Sequence, residues 1–157
     1  MASSSREKYA PAYAKIGGAH YFGIYGKEEN PEEGVRYFFR AAELGDTWAM
    51  RMLTSAYREG KGVERDNQKV IYWLKEGASL GDALPMIRLG SKYEYGQEFP
   101  KDYVLAYMWF NLAVAVGSVT RVAAEAREEV AKLMAPEQIA EAQRLTRDCV
   151  KKQFKGC

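Results

Sequence analysis

Few side chains in the 157-residue chain have the type and spacing that catalysis needs. His20 is the single histidine, and no cysteine or serine motif accompanies it, so a structural role is favoured over a catalytic base. Four glutamates, Glu28, Glu29, Glu32 and Glu33, surround the predicted start of a helix. Carboxylates there complement the helix dipole, and this interpretation is preferred over metal binding or acid–base work. Phosphate-loop, nucleophile-elbow, HExxH and EF-hand patterns are absent, so we expect no enzyme and no cofactor.

The two cysteines, Cys149 and Cys157, lie eight residues apart near the end of the chain. The CxxC and CxxH spacings of zinc sites are absent, so we predict no metal site. A disulfide between Cys149 and Cys157 could form a terminal staple in an oxidising compartment. Two free thiols are equally compatible with the sequence.

The charge and hydropathy patterns exclude several classes of protein. With 23 Lys and Arg against 21 Asp and Glu the net charge is +2, and no basic stripe suits a nucleic-acid binder. No run of about 18 apolar residues could span a bilayer. The first residues lack the apolar core of a signal peptide, so the chain as it reads predicts a cytoplasmic location. A periplasmic location follows if an export signal has been removed.

Several residue types recur with a period of 36. Three sets of positions carry glycine, tyrosine and a large aromatic residue respectively: Gly45, Gly81 and Gly117; Tyr21, Tyr57 and Tyr93; Tyr37, Trp73 and Trp109. Such a period is typical of helical repeats, which stack because no single unit buries its apolar face alone. We predict a leader or processing remnant at 1–10, three repeats at 11–118 and capping helices at 119–157.

Turn residues divide each repeat into two helices. The repeated glycines suit the left-handed position that ends a helix, and a side chain that can cap the next helix follows each of them: Asp46, Asp82 and Ser118. A second set of caps at Asn30, Asp66 and Asp102 predicts that the second helices begin near 31, 67 and 103. Asn30 and Glu33 have the spacing of a capping box. Small residues at Gly17, Gly18, Thr54 and Gly90 should let helices approach closely.

These elements resemble the Sel-one-like repeat (SLR) family, a helix-turn-helix relative of the tetratricopeptide repeats. The resemblance is carried by Leu53-Thr54-x-x-Tyr57-x-x-Gly60-x-Gly62-Val63-x-x-Asp66 and by Tyr72-Trp73-Leu74-x-x-Gly77-Ala78-x-x-Gly81. The third repeat matches similarly, and the stretch from Met134 to Arg144 is similar to the C-terminal end of many bacterial members. The resemblance implies an all-α fold, a right-handed α-solenoid of stacked helix-turn-helix repeats (an α-α superhelix).

The chain departs from the family pattern at four places. In the first repeat Gly17 replaces a leucine and Ile24-Tyr25-Gly26 replaces a Gly-x-Gly turn, so the pattern supports its first helix more weakly. Pro85 stands in the position of Ala49, and the third repeat should therefore begin its first helix no earlier than about 83. Ala135 stands where family members often carry a capping hydroxyl, so this turn is expected to fray.

The resemblance implies a non-catalytic protein–protein interaction module with a scaffolding or regulatory role in bacteria. Stacked helix pairs line a concave face with their first helices. The predicted contact positions point away from the core stripe of those helices: Lys15, Ala19 and Phe22; Trp48, Arg51, Ser55 and Arg58; Leu84, Ile87, Ser91 and Glu94. Trp48, Arg51 and Arg58 are the preferred anchors, because Trp and Arg are enriched in interface hot spots. Packing of Trp48 against the neighbouring repeat is an equally good interpretation.

Two other functions stay open. Some members of the family accompany secreted toxins, which implies an immunity or adaptor protein that neutralises a toxin or effector. A small enzyme that uses His20 and the acidic cluster is the alternative from another class. The missing catalytic motifs disfavour it.

Overall fold

The computed structural model describes residues 8–117 and 120–157, which form eight α-helices and no β-strand. The helices are α1 (Ala10–Phe22), α2 (Pro31–Glu43), α3 (Thr47–Glu59), α4 (Asn67–Ser79), α5 (Ala83–Tyr95), α6 (Tyr103–Val116), α7 (Thr120–Ala131) and α8 (Pro136–Lys151). The predicted starts of α2, α4 and α6 are confirmed, and α5 begins at Ala83 as Pro85 requires. The all-α fold of helix-turn-helix pairs is likewise confirmed.

The chain divides into two compact units, Met1–Trp73 and Leu74–Cys157, and the division falls within α4. Apolar side chains at helical spacing build the core of each unit. In the first unit the core contains Val35, Phe38, Ala42, Met50, Leu53 and Trp73. In the second unit a cluster contains Ala106, Phe110, Val130 and Ala142, which joins α6 to both C-terminal helices.

Side-chain caps begin five of the helices. The accepting oxygens and the backbone N–H groups that donate to them are Asn30 and Glu33 (3.1 Å), Asp46 and Ala49 (2.7 Å), Asp66 and Gln68 (2.9 Å), Asp82 and Leu84 (3.2 Å), and Asp102 and Leu105 (3.0 Å). These five predicted caps are confirmed, whereas Ser118 lies outside the described residues. The glycines at the repeated position before Asp46, Asp82 and Ser118 have left-handed φ angles, 87° at Gly45, 79° at Gly81 and 82° at Gly117.

The capping box predicted at Asn30 is only half correct. The Glu33 carboxylate pairs with Arg36 at 3.2 Å, and the Asn30 N–H donates to the His20 carbonyl at 2.7 Å. Each group thus has another partner, and the reciprocal hydrogen bond does not form. At the start of α8 the opposite half is present, because Gln138 Oε1 accepts the Ala135 N–H at 2.9 Å.

Helices α1 and α2 cross at two facing glycines. A β-carbon added to Gly34 would lie 2.8 Å from the Tyr21 nitrogen and 2.9 Å from the Gly17 carbonyl oxygen. A β-carbon added to Gly17 would lie 2.7 Å from the buried Phe38 ring and 3.0 Å from the Gly34 carbonyl oxygen. The close approach predicted for Gly17 is therefore confirmed. In the second unit a β-carbon added to Gly90 would lie 2.7 Å from the ring of Phe110, so the prediction for Gly90 is confirmed as well.

The turn after α1 differs from the turns after α3 and α5. In those two turns Gly60 and Gly96 end the helix in the left-handed region. The first repeat has Ile24 at that register position, and α1 ends one residue earlier, at Gly23 with φ 64°. Tyr25 is left-handed with φ 55°, whereas its counterparts at the same register position, Lys61 and Gln97, are not. This departure from the repeat pattern exposes both Ile24 and Tyr25.

A polar network and a disulfide fix the C-terminal helices. Arg127 of α7 donates to Asn111 of α6 at 2.8 Å, and Asn111 donates to Thr146 of α8 at 3.4 Å. Cys149 and Cys157 are joined by a disulfide, with 5.6 Å between their α-carbons. The disulfide folds residues 152–157 back onto the end of α8.

Candidate functional site

The first unit contains an apolar cleft of about 390 Å³ on the exposed side of α1. Ala14 and Gly18 of α1 and Trp48 of α3 line it, together with Ile24 and Tyr25 of the turn. The remaining lining residues are Pro11, Lys15, Phe22 and Asp46. Because Gly18 has no side chain, the Trp48 ring can approach the backbone of α1, where it lies 3.2 Å from the position of an added β-carbon. This volume falls at the lower end of the range typical of ligand pockets.

The sequence left open whether Trp48 packs against the neighbouring repeat or contacts a partner, and its ring is available for both. Its ring meets the buried Phe38 ring edge-on, with 5.4 Å between the centroids. The residue still keeps 37% of its surface exposed and forms a wall of the cleft. Trp48 therefore packs against the first repeat and presents an apolar surface to solvent.

Two charged side chains lie at the rim of the cleft. Asp46 Oδ1 accepts the Ala49 N–H at 2.7 Å at the positive end of the α3 dipole, so its charge is compensated locally. Lys15 lies on the exposed side of α1, and no carboxylate in residues 8–117 or 120–157 lies within ion-pairing distance of it. The uncompensated charge at this rim is positive.

The other predicted contact residues of the first unit do not line the cleft. Arg58 and the Ser55 hydroxyl each donate to the Glu59 carboxylate at 2.9 Å, and these two hydrogen bonds hold the pKa of Glu59 below its ordinary value. Arg51 is half-buried and is engaged in an interaction of its own. The prediction that Ala19 is exposed is wrong, because only 8% of its surface is accessible.

The predicted contact residues of the second unit differ in exposure. Leu84 is exposed at the start of α5, whereas Ile87 packs against the cluster around Phe110. Ser91 and Glu94 are half-buried, and burial raises the pKa of the Glu94 carboxyl against the opposing effects of Tyr95 and Lys101. The second unit also has a cleft of about 340 Å³, which Trp109 and Phe154 line together with the disulfide end of the chain.

Six of the lining residues were not predicted as contact positions from the sequence: Pro11, Ala14, Gly18, Ile24, Tyr25 and Asp46. Ile24 and Tyr25 stand where the repeat pattern expects a Gly-x-Gly turn, and this departure was the signal available in the sequence. Tyr25 is 87% exposed and held in the left-handed region, a conformation that costs a non-glycine residue about 1–2 kcal/mol. Strained residues of this kind cluster at functional sites.

His20 and the acidic cluster occupy structural positions. The His20 ring stacks on Tyr37 with 5.8 Å between centroids. Glu29 pairs with Lys61 at 2.7 Å, and Glu33 lies in the first turn of α2. In residues 8–117 and 120–157 no three or more histidine, cysteine or acidic side chains are grouped to hold a metal ion. None of the helices in that part of the chain has the length and hydropathy needed to cross a membrane.

Comparison with known proteins identifies the repeats. The Sel1 repeat family model matches residues 10–46, 49–82 and 86–118. A protective antigen of uropathogenic Escherichia coli with an SLR fold is 29% identical, with a TM-score of 0.74 over 92% of this chain. This chain spans only 31% of that protein. A Sel1 repeat protein of Oxalobacter formigenes is also 29% identical, with a TM-score of 0.68, and the match covers 82% of this chain and 96% of that one.

A more distant likeness concerns the fold alone. The cysteine-rich protein B of Helicobacter pylori is 22% identical, with a TM-score of 0.58, and the match covers 80% of this chain and 96% of that one. The search of curated proteins finds no match.

Proposed function

Because the chain belongs to the Sel1 repeat family, we propose that it is a non-catalytic module that binds a protein partner through the cleft of its first unit. Sel1 repeat proteins typically mediate protein–protein interaction and are generally scaffolds without enzymatic activity. The proposal adds to this the surface on which the partner docks.

The observation that carries the proposal is the group of exposed apolar side chains around the cleft. Phe22, Ile24, Tyr25 and Trp48 come from two segments of the chain, the end of α1 with its turn and the start of α3, and expose 46%, 43%, 87% and 37% of their surfaces. Scattered apolar residues are normal on a protein surface, but a contiguous apolar group with a polar rim is typical of interaction sites. Tryptophan and tyrosine are also enriched among the residues that dominate binding energy.

The experiment is affinity capture of partners from the native host, followed by measurement of affinity for the captured protein. Trp48→Ala and Tyr25→Ala should each weaken binding by about 2 kcal/mol, roughly 30-fold in Kd, as expected of a hot spot. Arg51→Ala tests the second preferred anchor on α3. Far-UV circular dichroism checks that each variant keeps its helices.

Tyr72→Ala is the matched control, because Tyr72 is an exposed aromatic residue of the same unit that does not line the cleft. Folded Trp48→Ala and Tyr25→Ala proteins that bind as tightly as Tyr72→Ala would overturn the proposal. Tyr25→Ala keeps this test decisive if Trp48→Ala unfolds, since the Tyr25 side chain is nearly free of contacts. Leu84→Ala asks separately whether the second unit contributes.

A toxin-neutralising role is a narrower proposal that rests on the family resemblance alone. Capture of a toxin or effector, together with loss of its toxicity when the two proteins are mixed, would support it. Capture of a host regulatory or structural protein would favour a scaffolding role.

A further inference from the structure

The cleft of the first unit places the Lys15 ammonium group beside an apolar cavity. Its inner surface is formed by Ala14, Gly18 and Trp48, and Gly18 leaves room where any other residue would place a side chain. Lys15 lies one turn before Gly18 on the same helix and lines the same cleft. The apolar cavity and the ammonium group are therefore available to one ligand at once.

The electrostatic balance at the rim favours an anionic ligand. The Asp46 carboxylate is engaged by the Ala49 N–H and by the α3 dipole. The Lys15 ammonium has no carboxylate partner in the described ranges, and its position in the middle of α1 is remote from the negative end of that helix. A basic ligand would meet this charge without compensation, whereas a carboxylate would pair with it.

The aromatic walls favour a bulky apolar side chain. Phe22 is the last residue of α1, Tyr25 lies on the turn that follows, and Trp48 is held by its edge-on contact with Phe38. Because the Trp48 ring is already packed before binding, it loses little conformational freedom when a ligand enters.

We propose that the cleft recognises an acidic–apolar peptide segment of the partner, with a leucine or aromatic side chain in the cavity and a carboxylate within two residues of it paired with Lys15. This inference rests on the proposed function, because it names the chemistry of the partner at the same cleft. The occupant is a protein segment, because the cleft is open to solvent and continuous with the exposed turn.

The test is selection of random twelve-residue peptides displayed on phage against the full chain. The selected peptides should contain Leu, Phe or Trp with Asp or Glu within two residues. Selection against Lys15→Glu should shift the neighbouring residue to Lys or Arg. Selection against Lys69→Glu should return the wild-type preference, because Lys69 carries the same charge on an exposed part of α4 away from the cleft.

Binding of a selected, fluorescently labelled peptide then gives the magnitude. Lys15→Ala should raise Kd about two- to fivefold, the size expected of an exposed ion pair, and the loss should shrink as salt is added. Trp48→Ala should raise Kd more than Lys15→Ala, because it removes a wall of the cavity.

Several results would overturn the inference. These are selected peptides without an acidic preference, peptides with a basic preference, no selected peptide, or occupation of the cleft only by a small apolar molecule or lipid. If the captured native partner still loses affinity with Trp48→Ala, the proposed function survives while the acidic–apolar specificity falls. If the native partner is insensitive to both Trp48→Ala and Tyr25→Ala, the proposed function itself falls.

Discussion

The crossing of α1 and α2 provides a sharp test of the packing, through the substitution Gly34→Ala. The added β-carbon would lie 2.7 Å from Tyr21 Cβ, 2.8 Å from the Tyr21 nitrogen and 2.9 Å from the Gly17 oxygen. Two of these atoms belong to the backbone of α1, so the strain cannot be relieved by a rotamer change. The two helices must separate instead.

The magnitude follows from two opposing effects. Alanine favours a helix over glycine by about 1 kcal/mol. Overpacking of a close contact costs typically about 1–3 kcal/mol, and the backbone partners here place Gly34 near the upper end. We expect Gly34→Ala to lower the free energy of unfolding by about 1–2 kcal/mol.

The matched control is Gly18→Ala in the facing helix. The nearest atom to its added β-carbon is Cη2 of Trp48 at 3.2 Å, the tip of a partly exposed side chain that can move by a few tenths of an ångström. Gly18→Ala should therefore keep most of the gain in helix propensity, up to about 1 kcal/mol. The two variants should differ by about 2–3 kcal/mol.

Urea unfolding followed by far-UV circular dichroism measures both variants, with m-values compared to detect a changed denatured state. Equal stability of Gly34→Ala and Gly18→Ala would refute the claim that the helices meet backbone to backbone at Gly34.

Three further predictions concern the turn, the disulfide and the half-buried Tyr93. Tyr25→Gly should leave the free energy of unfolding in urea unchanged or raise it by up to about 1 kcal/mol, and it should weaken partner binding. The reason is that relief of the left-handed strain outweighs the added freedom of glycine in the unfolded chain. A clear loss of stability would contradict the strain. Cys157→Ser should lower the free energy of unfolding by about 2–3 kcal/mol, the chain-entropy value for a loop closed across eight residues. Reduction of the wild-type protein should have the same effect. A variant with the thermal midpoint of the oxidised protein would refute this prediction. Burial and, to a smaller extent, Asp102 raise the pKa of Tyr93 above 10.0, so the stability that this residue contributes is full below pH 10.0 and falls as pH rises through the folded-state pKa. Asp102→Asn keeps a good cap and should lower the pKa of Tyr93 without returning it to 10.0, as a carbon-13 NMR titration of the ring would measure.

The elements of the fold were predictable because their signals are local and repeated. A cap side chain and a left-handed glycine act within one turn of the chain, so Asp46 and Gly45 could be assigned without knowledge of the tertiary structure. The prediction of a capping box at Asn30 was half wrong because the Asn30 N–H and the Glu33 carboxylate both bond to other groups. Arg36 and the His20 carbonyl offer partners that a four-residue pattern does not contain.

The candidate site was predicted less completely because it depends on contacts between segments. Helical spacing placed Lys15, Phe22 and Trp48 on one exposed surface, and the structure brings them together at one cleft. The same spacing placed Ala19 at the surface, but a small side chain close to an approaching helix is buried whichever way it points. Tyr25 was missed because its exposure follows from the early end of α1 at Gly23, which the repeat period does not encode.

The shifted turn has a consequence for how this protein could be retargeted. Although α1 ends one residue early, the cap at Asn30 keeps its spacing from the caps at Asp66 and Asp102, and α2 starts on register. The position of Gly26 is left-handed in every repeat, even where Glu98 occupies it. Residues 23–26 thus differ from the equivalent turns of the other repeats without moving the start of the next helix. Transplanting residues 23–26 to positions 59–62 should install the same exposed apolar turn there, with α3 ending one residue earlier and α4 still beginning at Asn67.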